Sequence, residues 1–277
     1  MCIRDRAATA DLDDVNMIDP FHLEAYGETT VNYNRDIEIF PVLRAIFERI
    51  YGECPYKSPT DMGVNMAGFC IVDDAACRRA SEQEIIRRYY QSLCSLRQGL
   101  SEQEEVFKLE LLMNQIGLKP ESRAVVPAAL ARAEETGAPA VAMELPNGKL
   151  VTGKTSPLLG ASSACLLNAL KCLGGIPEDV LLISPNIIEP IQHLKVEHMG
   201  NHNPRLHTDE VLIALSICAV TDPNAERAME QLAALAGGEV HSTVILSRVD
   251  ENVFQHLRMN LTCEPKYQTK KLYHGKK

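Results

Sequence analysis

Arg205 and His207, one leucine apart and followed by Asp209-Glu210, set a permanent cation and a titratable imidazole just ahead of an apolar helical run. Together they make a candidate anion-binding pair, while the acids that follow suit the positive end of a helix dipole. Lys154, within Gly153-Lys-Thr-Ser156 and ahead of Pro157, adds a third cation where a helix is expected to start and free amides favour an anion. A capped helix carrying a solvated lysine is the competing reading of that stretch. Gly148, four residues, then Gly153-Lys154-Thr155 also spell a phosphate loop. The context argues against it. Gly148 belongs to a Pro-Asn-Gly turn, Lys149 to Thr152 reads as the returning strand, and Ser156-Pro157 opens the helix two residues too late for the Lys and Thr.

A second set of polar residues lies near the N-terminus. Carboxylates at 11, 13, 14 and 19 beside Asn16 and His22 could hold a hard divalent cation, although no calcium-loop spacing is present and Asp19-Pro20 reads equally as a helix cap. Asn32-Tyr-Asn-Arg-Asp36 crowds hydrogen-bonding groups ahead of an apolar helix, where burial without partners would be costly. Ser58 to Asn65 is a turn-rich loop in which Asp61 and Asn65 can reach a ligand. The candidate ligand contacts are therefore Asp14, Asn16, His22, Asn34, Arg35, Asp61 and Asn65, with Lys154, Arg205 and His207 as a second, anion-binding cluster. No metal set is assigned: Gly200-Asn201 interrupts the His198/His202 spacing, and the Pro-Cys-x-x-Cys half of a zinc-deaminase motif is missing. His241 is either a solvent-facing strand residue or a pocket member.

The elements that would position these groups change character along the chain. Ile37 to Tyr51 has helical apolar spacing, and Ser81-Glu-Gln-Glu84 and Ser101-Glu-Gln-Glu104 read as capping boxes opening two more helices, the second stopped by Gly117. Beyond Gly137 the rhythm becomes a hairpin, 140–145 with 149–152, then helices opened by Ser156-Pro, Ser184-Pro and Asp222-Pro, alternating with apolar runs at 180–183, 240–246 and 259–262. That alternation predicts an α/β layered sandwich after a helix-rich subdomain, with a boundary near residue 137. Val211 to Val220 is about half of what crosses a bilayer and reads as a buried helix.

With 277 residues, 45% hydrophobic and 23% charged, the chain has globular composition, and its formal net charge of -9 disfavours a nucleic-acid surface. Nine cysteines without a Cys-x-x-Cys pair fit a reduced, cytoplasmic setting. Met1 to Arg6 matches what the end of a sequencing-library transposon adaptor encodes, so these six residues are expected to be a processing scar, with the protein proper running on from Ala7.

The stretches 7–22, 26–41 and 58–66, with Glu144-Leu-Pro-Asn-Gly148, Asn203-Pro-Arg-Leu-His207 and His241-Ser-Thr243, strongly resemble the bacterial family called domain of unknown function 1846. The resemblance covers essentially 7–273 and implies a truncated member, since full-length members are about twice as long and carry a phosphate-loop-like segment upstream. It further implies that 137–277 is a three-layer α/β/α sandwich similar in topology to cytidine deaminases, preceded by the helical subdomain 7–136. Topology alone does not carry deaminase chemistry. The resulting expectation is an enzyme portion acting on a phosphorylated or nucleotide-like small molecule, with ATP and magnesium as cofactors of the full-length protein. The alternative is a non-catalytic binding or assembly protein whose polar loops make subunit contacts, including a homo-oligomer.

Overall fold

The computed structural model describes residues 16–17, 31–55 and 74–268. The chain divides into two compact units, Met1–Ser122 and Arg123–Lys277.

In the first unit, β1 (Asn16–Met17) pairs antiparallel with β2 (Val31–Asn32), and the described residues then form the α-helices α1 (Tyr33–Tyr51), α2 (Asp74–Gln98) and α3 (Gln103–Ile116). Helix α1 starts four residues before the apolar spacing does. The first capping box is not a helix start, because Ser81 lies inside α2. The stretch before it, Asp74-Ala-Ala-Cys-Arg-Arg-Ala80, is rich in helix formers and carries the helix back two turns. At the second box Glu102, not Ser101, is the N-cap, and no side chain bonds the first-turn amides. Gly117 ends α3 as expected, its φ of 67° being one that a residue without Cβ adopts at little cost. Within α2, buried Glu84 holds Arg87 at 2.8 Å and Arg88 at 2.7 Å, so the buried guanidinium of Arg87 has its counter-charge one turn away.

The second unit is built on a four-stranded mixed sheet of order β4-β3-β5-β6. Helix α4 (Val125–Thr136) leads into the hairpin β3 (Ala140–Glu144) and β4 (Leu150–Lys154), whose turn places Gly148 at φ 77° as Asn-Gly predicts. Then come α5 (Ala161–Leu173), α6 (Pro185–His193), a single π turn (Leu194–His198), α7 (Thr208–Cys218) and α8 (Pro223–Glu230). The chain closes with β5 (Glu239–Ser242), α9 (Arg248–His256) and β6 (Asn260–Cys263). β3 is antiparallel to both neighbours, whereas β5 and β6 run parallel and need the α9 crossover between them.

Two expected elements are absent. Val180 to Ile183 forms no strand: a turn closed by Val180 N–H to the Pro177 carbonyl delivers it straight to Ser184, the α6 N-cap, and Leu182 and Ile183 are buried as loop residues. Ser156-Pro157 does not open a helix either. The Ser156 hydroxyl accepts from the amides of Leu158 and Leu159, a local turn, and α5 begins only after Gly160. Ser184-Pro and Asp222-Pro do start helices, and the Asp222 side chain accepts from the Asn224 amide.

Strand alternation explains how helices reach both sides of the hairpin. Ala142 packs with Val125 and Ala129 of α4, while Val141, one residue earlier and pointing the other way, pairs with Gly153, against which α5 lies. Buried Arg123 secures the other end of the sheet. Its guanidinium meets Glu239 and donates to the carbonyls of Val240 at 3.0 Å and Asn260 at 2.6 Å, joining the starts of β5 and β6. Helix α7 buries Val211, Ala214, Leu215 and Cys218 against α5, α8 and α9. Contrary to a wholly buried helix, it exposes Ile213 and Ile217 on the far side.

Among the described glycines, Gly153 has the closest backbone neighbours. A Cβ there would stand 2.2 Å from the Cys165 amide nitrogen and 2.8 Å from the Ala161 carbonyl, both backbone and unable to step aside. Gly153→Ala is expected to cost about 1–3 kcal/mol or more, a fall of several degrees in Tm. Gly160→Ala, whose Cβ would meet nothing nearer than 3.6 Å, should melt close to wild type. Equal melting of the two variants would refute the close β4–α5 packing.

Candidate functional site: a buried aspartate holding His207

The parallel pair β5–β6 ends where chain turns are freest to gather polar groups, and in open α/β sheets ligands settle beyond the carboxyl ends of strands. Five residues past β5, Ser247 caps α9, accepting from the Asp250 amide at 3.3 Å. Asp250, in the first turn of α9, is 7% exposed yet fully partnered. Its Oδ1 accepts the Thr208 amide and hydroxyl, both at 3.0 Å, and its Oδ2 accepts the Ser247 hydroxyl at 2.8 Å and His207 Nδ1 at 3.0 Å. A buried carboxylate is tolerated only with such a donor set.

This arrangement fixes the histidine. With Nδ1 carrying the proton that Asp250 accepts, Nε2 is the nitrogen left to act, and among the described residues it has no hydrogen-bond partner. His207 is also the N-cap of α7: its amide donates to Glu210 Oε2 at 2.8 Å, closing a capping box. Glu210 Oε2 in turn takes the ammonium of Lys195, a buried residue of the π turn, at 2.7 Å, and the same ammonium donates to the Arg205 carbonyl at 2.8 Å. Single π turns recur at functional sites, and this one points Lys195 inward at the histidine's support. Lys195, Glu210, His207 and Asp250 thus alternate in sign.

The candidates named from sequence distribute as follows. Arg205 and His207 lie together on the strand-like segment before α7, where Leu206 bridges parallel to Leu159. Lys154 ends β4, exposed and opposite Ala140, with no hydrogen bond to Arg205 or His207. It sits two residues before Ser156, however, whose carbonyl accepts from Arg205 Nε at 2.8 Å. The helix N-terminus expected beside Lys154 is not there, since that residue belongs to the strand. Asn16 pairs across β1–β2 with Asn32, two residues before Asn34, and Arg35 follows in the first turn of α1. Asp14, His22, Asp61 and Asn65 lie outside the described residues. His241 is wholly buried in β5, Nδ1 at 2.8 Å from the Thr262 hydroxyl and Nε2 facing Glu264 at 3.4 Å, so it does not face solvent. Burial lowers its pKa, against the hydrogen bond and charge of Glu264.

Sequence reasoning missed Asp250, Ser247, Thr208 and Lys195. One signal was available, because Ser247-Arg-Val-Asp250 has the spacing of a capping box at a helix start. Nothing in the sequence says that this helix start meets the start of α7.

Electrostatics follow the geometry. The hydrogen bond to Asp250 raises the His207 pKa, outweighing burial and the nearby Lys195 ammonium, with Glu210 assisting. For Asp250, burial pushes upward, but the His207 hydrogen bond and charge, the Thr208 amide and the Ser247 hydroxyl together hold it below its ordinary value. A raised histidine stabilises the fold fully below its unfolded value, about 6.5, and stops doing so as pH climbs through the folded one. A lowered aspartate stabilises above about 3.9 and stops as pH falls through its folded value. The Tm gap between wild type and Asp250→Asn is therefore expected to be widest between about pH 4 and 6.5 and to narrow above that. A gap as wide at pH 9 as at pH 5 would contradict the ion pair.

Comparison with known proteins agrees with the division into units. Residues 2–117 match the family model described as domain of unknown function DUF1846, N-terminal, and residues 121–273 match its C-terminal counterpart. A UPF0371 protein of Streptococcus thermophilus (strain CNRZ 1066) is 59% identical over 267 residues, covering 96% of this chain and 54% of the relative. A UPF0371 protein of Streptococcus pneumoniae (strain JJA) is 58% identical over the same length. The chain spans about half the length of the curated relatives it matches. On the strength of both domain matches, the chain belongs to the DUF1846 family.

Proposed function

We propose that the second unit is part of an enzyme acting on a phosphorylated or nucleotide-like small molecule, and that His207 moves its proton. The observation that carries this reading is the Asp250–His207 pair, with Nδ1 held at 3.0 Å and Nε2 left without a partner among the described residues. An imidazole oriented in this way takes a proton from an attacking hydroxyl and returns one to a leaving oxygen, work that typically speeds a step 10²–10⁴-fold. Asp250, Ser247 and Thr208 are positioning residues, since they act through the ring. The mixed sheet with helices on both sides of its hairpin supports the deaminase-like sandwich reading of this unit, without carrying deaminase chemistry. ATP and magnesium are proposed as cofactors of the full-length protein, and a cytoplasmic location is proposed from the cysteine usage. No helix among the described residues is long and apolar enough to cross a membrane.

A second reading has its own observation. Ile213, Ile217 and Val220 stand 62%, 64% and 82% exposed at i, i+4 and i+7 along α7 and just beyond it, an apolar stripe of the kind that meets a partner. This favours an assembly role, with a second copy as one partner.

Thermal melts with a panel of phosphorylated metabolites and magnesium-ATP test the first reading. Ligand at about 100 times its Kd adds roughly 2.7 kcal/mol. His207→Gln, whose amide can still donate one uncharged hydrogen bond, is expected to keep a smaller but measurable shift from the hit compound and to lose turnover of it by at least about 100-fold. Turnover at the wild-type rate, or no shift from any compound, would overturn this reading. For the second reading, Ile213→Glu with Ile217→Glu is expected to dissociate an oligomer seen by analytical ultracentrifugation. A wild-type chain that sediments as a monomer at all concentrations would exclude it.

A further inference from the structure

Arg205 is built as carefully as His207. Its amide donates to Asn203 Oδ1 at 3.2 Å, its carbonyl takes the buried Lys195 ammonium at 2.8 Å, and its Nε donates to the Ser156 carbonyl at 2.8 Å. The guanidinium is thus pinned by one nitrogen, leaving both terminal nitrogens. Among the described residues no carboxylate pairs with it, although the chain carries a formal net charge of -9 and neighbouring Lys195 has Glu210.

Backbone geometry puts this cation beside the histidine. Leu206 is wholly buried and bridges to Leu159, donating to the Leu158 carbonyl and accepting from the Gly160 amide and the Ser163 hydroxyl. Residues on either side of a strand position share the opposite face, so Arg205 and His207 project together, roughly 6.5–7 Å apart at their Cα atoms. A planar donor pair at one point and a single N–H at the other suit a tetrahedral oxyanion with three terminal oxygens. A guanidinium edge grips two such oxygens, leaving the third to an imidazolium. The charges around His207 from the packed elements are Asp250 of α9, Glu210 of α7 and Lys195 of the π turn. Asp250 is fully engaged by its four donors, and Glu210 and Lys195 engage each other.

We propose that Arg205 and His207 form a phosphoryl-binding fork, Arg205 binding through its two terminal nitrogens and His207 donating from Nε2, with a phosphate monoester as the ligand class. The fork rests on the reading of His207 given above and names the part of the substrate that it grips. It also aims the Nε2–H as a hydrogen-bond donor at a terminal phosphoryl oxygen.

The test is a titration of the full 277-residue chain, isotope-labelled at histidine, with inorganic phosphate and separately with phenyl phosphate near pH 6.5, following the His207 ring by NMR. Expected are a saturable shift of His207, a rise in its apparent pKa on binding, and tighter binding of the monoester than of free phosphate. Arg205→Gln and Arg205→Lys should each weaken binding about tenfold or more, Lys keeping the charge but losing the fork. No saturable shift, or wild-type affinity in both variants, overturns the fork. Equal affinity for phosphate and monoester overturns the monoester class. Failure is separable from that of the acid–base reading: a His207 pKa that still depends on Asp250 without answering phosphate sinks the fork alone, whereas a pKa indifferent to Asp250 sinks the proton-handling role.

Discussion

One buried carboxylate organises the candidate site. Asp250 sits where burial alone would push it toward neutrality, and it stays charged because four donors from two helix starts converge on it. Remove that carboxylate and the Thr208 amide and hydroxyl, the Ser247 hydroxyl and the His207 ring all lose an acceptor at once. The cost of leaving buried polar groups unpaired is what locks the start of α7 to the start of α9. Because His207 is itself the α7 N-cap, the constraint that joins the helices also aims the imidazole.

The rest of the second unit keeps those two helix starts in place. Helix α9 is the crossover between parallel β5 and β6, so its first turn must rise from the carboxyl end of β5. At the opposite end of those strands, Arg123 bonds both backbones and Glu239, fixing their stagger. Helix α7 rests on α5, and α5 can approach the sheet as it does only because Gly153 has no side chain. A glycine within a phosphate-loop-like string is thus explained by packing, with the string itself being a hairpin and its returning strand.

Legibility in the sequence was uneven for identifiable reasons. Local signals were readable wherever local chemistry decides: the Asn-Gly turn, Gly117 ending α3, and proline in the first turn after Ser184 and Asp222. They misled where another local bond competes, as when the Ser156 hydroxyl closes a turn instead of a helix, or where helix-forming residues carried α2 past its capping box. Arg205 and His207 stood out as cations beside a helix start. Asp250 did not, because its role depends on a contact between residues more than forty positions apart, and an acid three residues after a serine reads only as a cap. The same holds for Lys195, whose partners are a carbonyl and a carboxylate brought in by tertiary packing.

The central claim is that Asp250 sets the tautomer and basicity of His207, and long-range nitrogen–proton NMR of the histidine rings measures both directly. In the wild-type chain the neutral His207 ring is expected to carry its proton on Nδ1 and to titrate above an ordinary histidine. In Asp250→Asn, with the fold checked by the unchanged signals of buried His241, the titration should fall and the tautomer preference weaken. A neutral His207 protonated on Nε2 in the wild type, or the same pKa in both proteins, would contradict the claim.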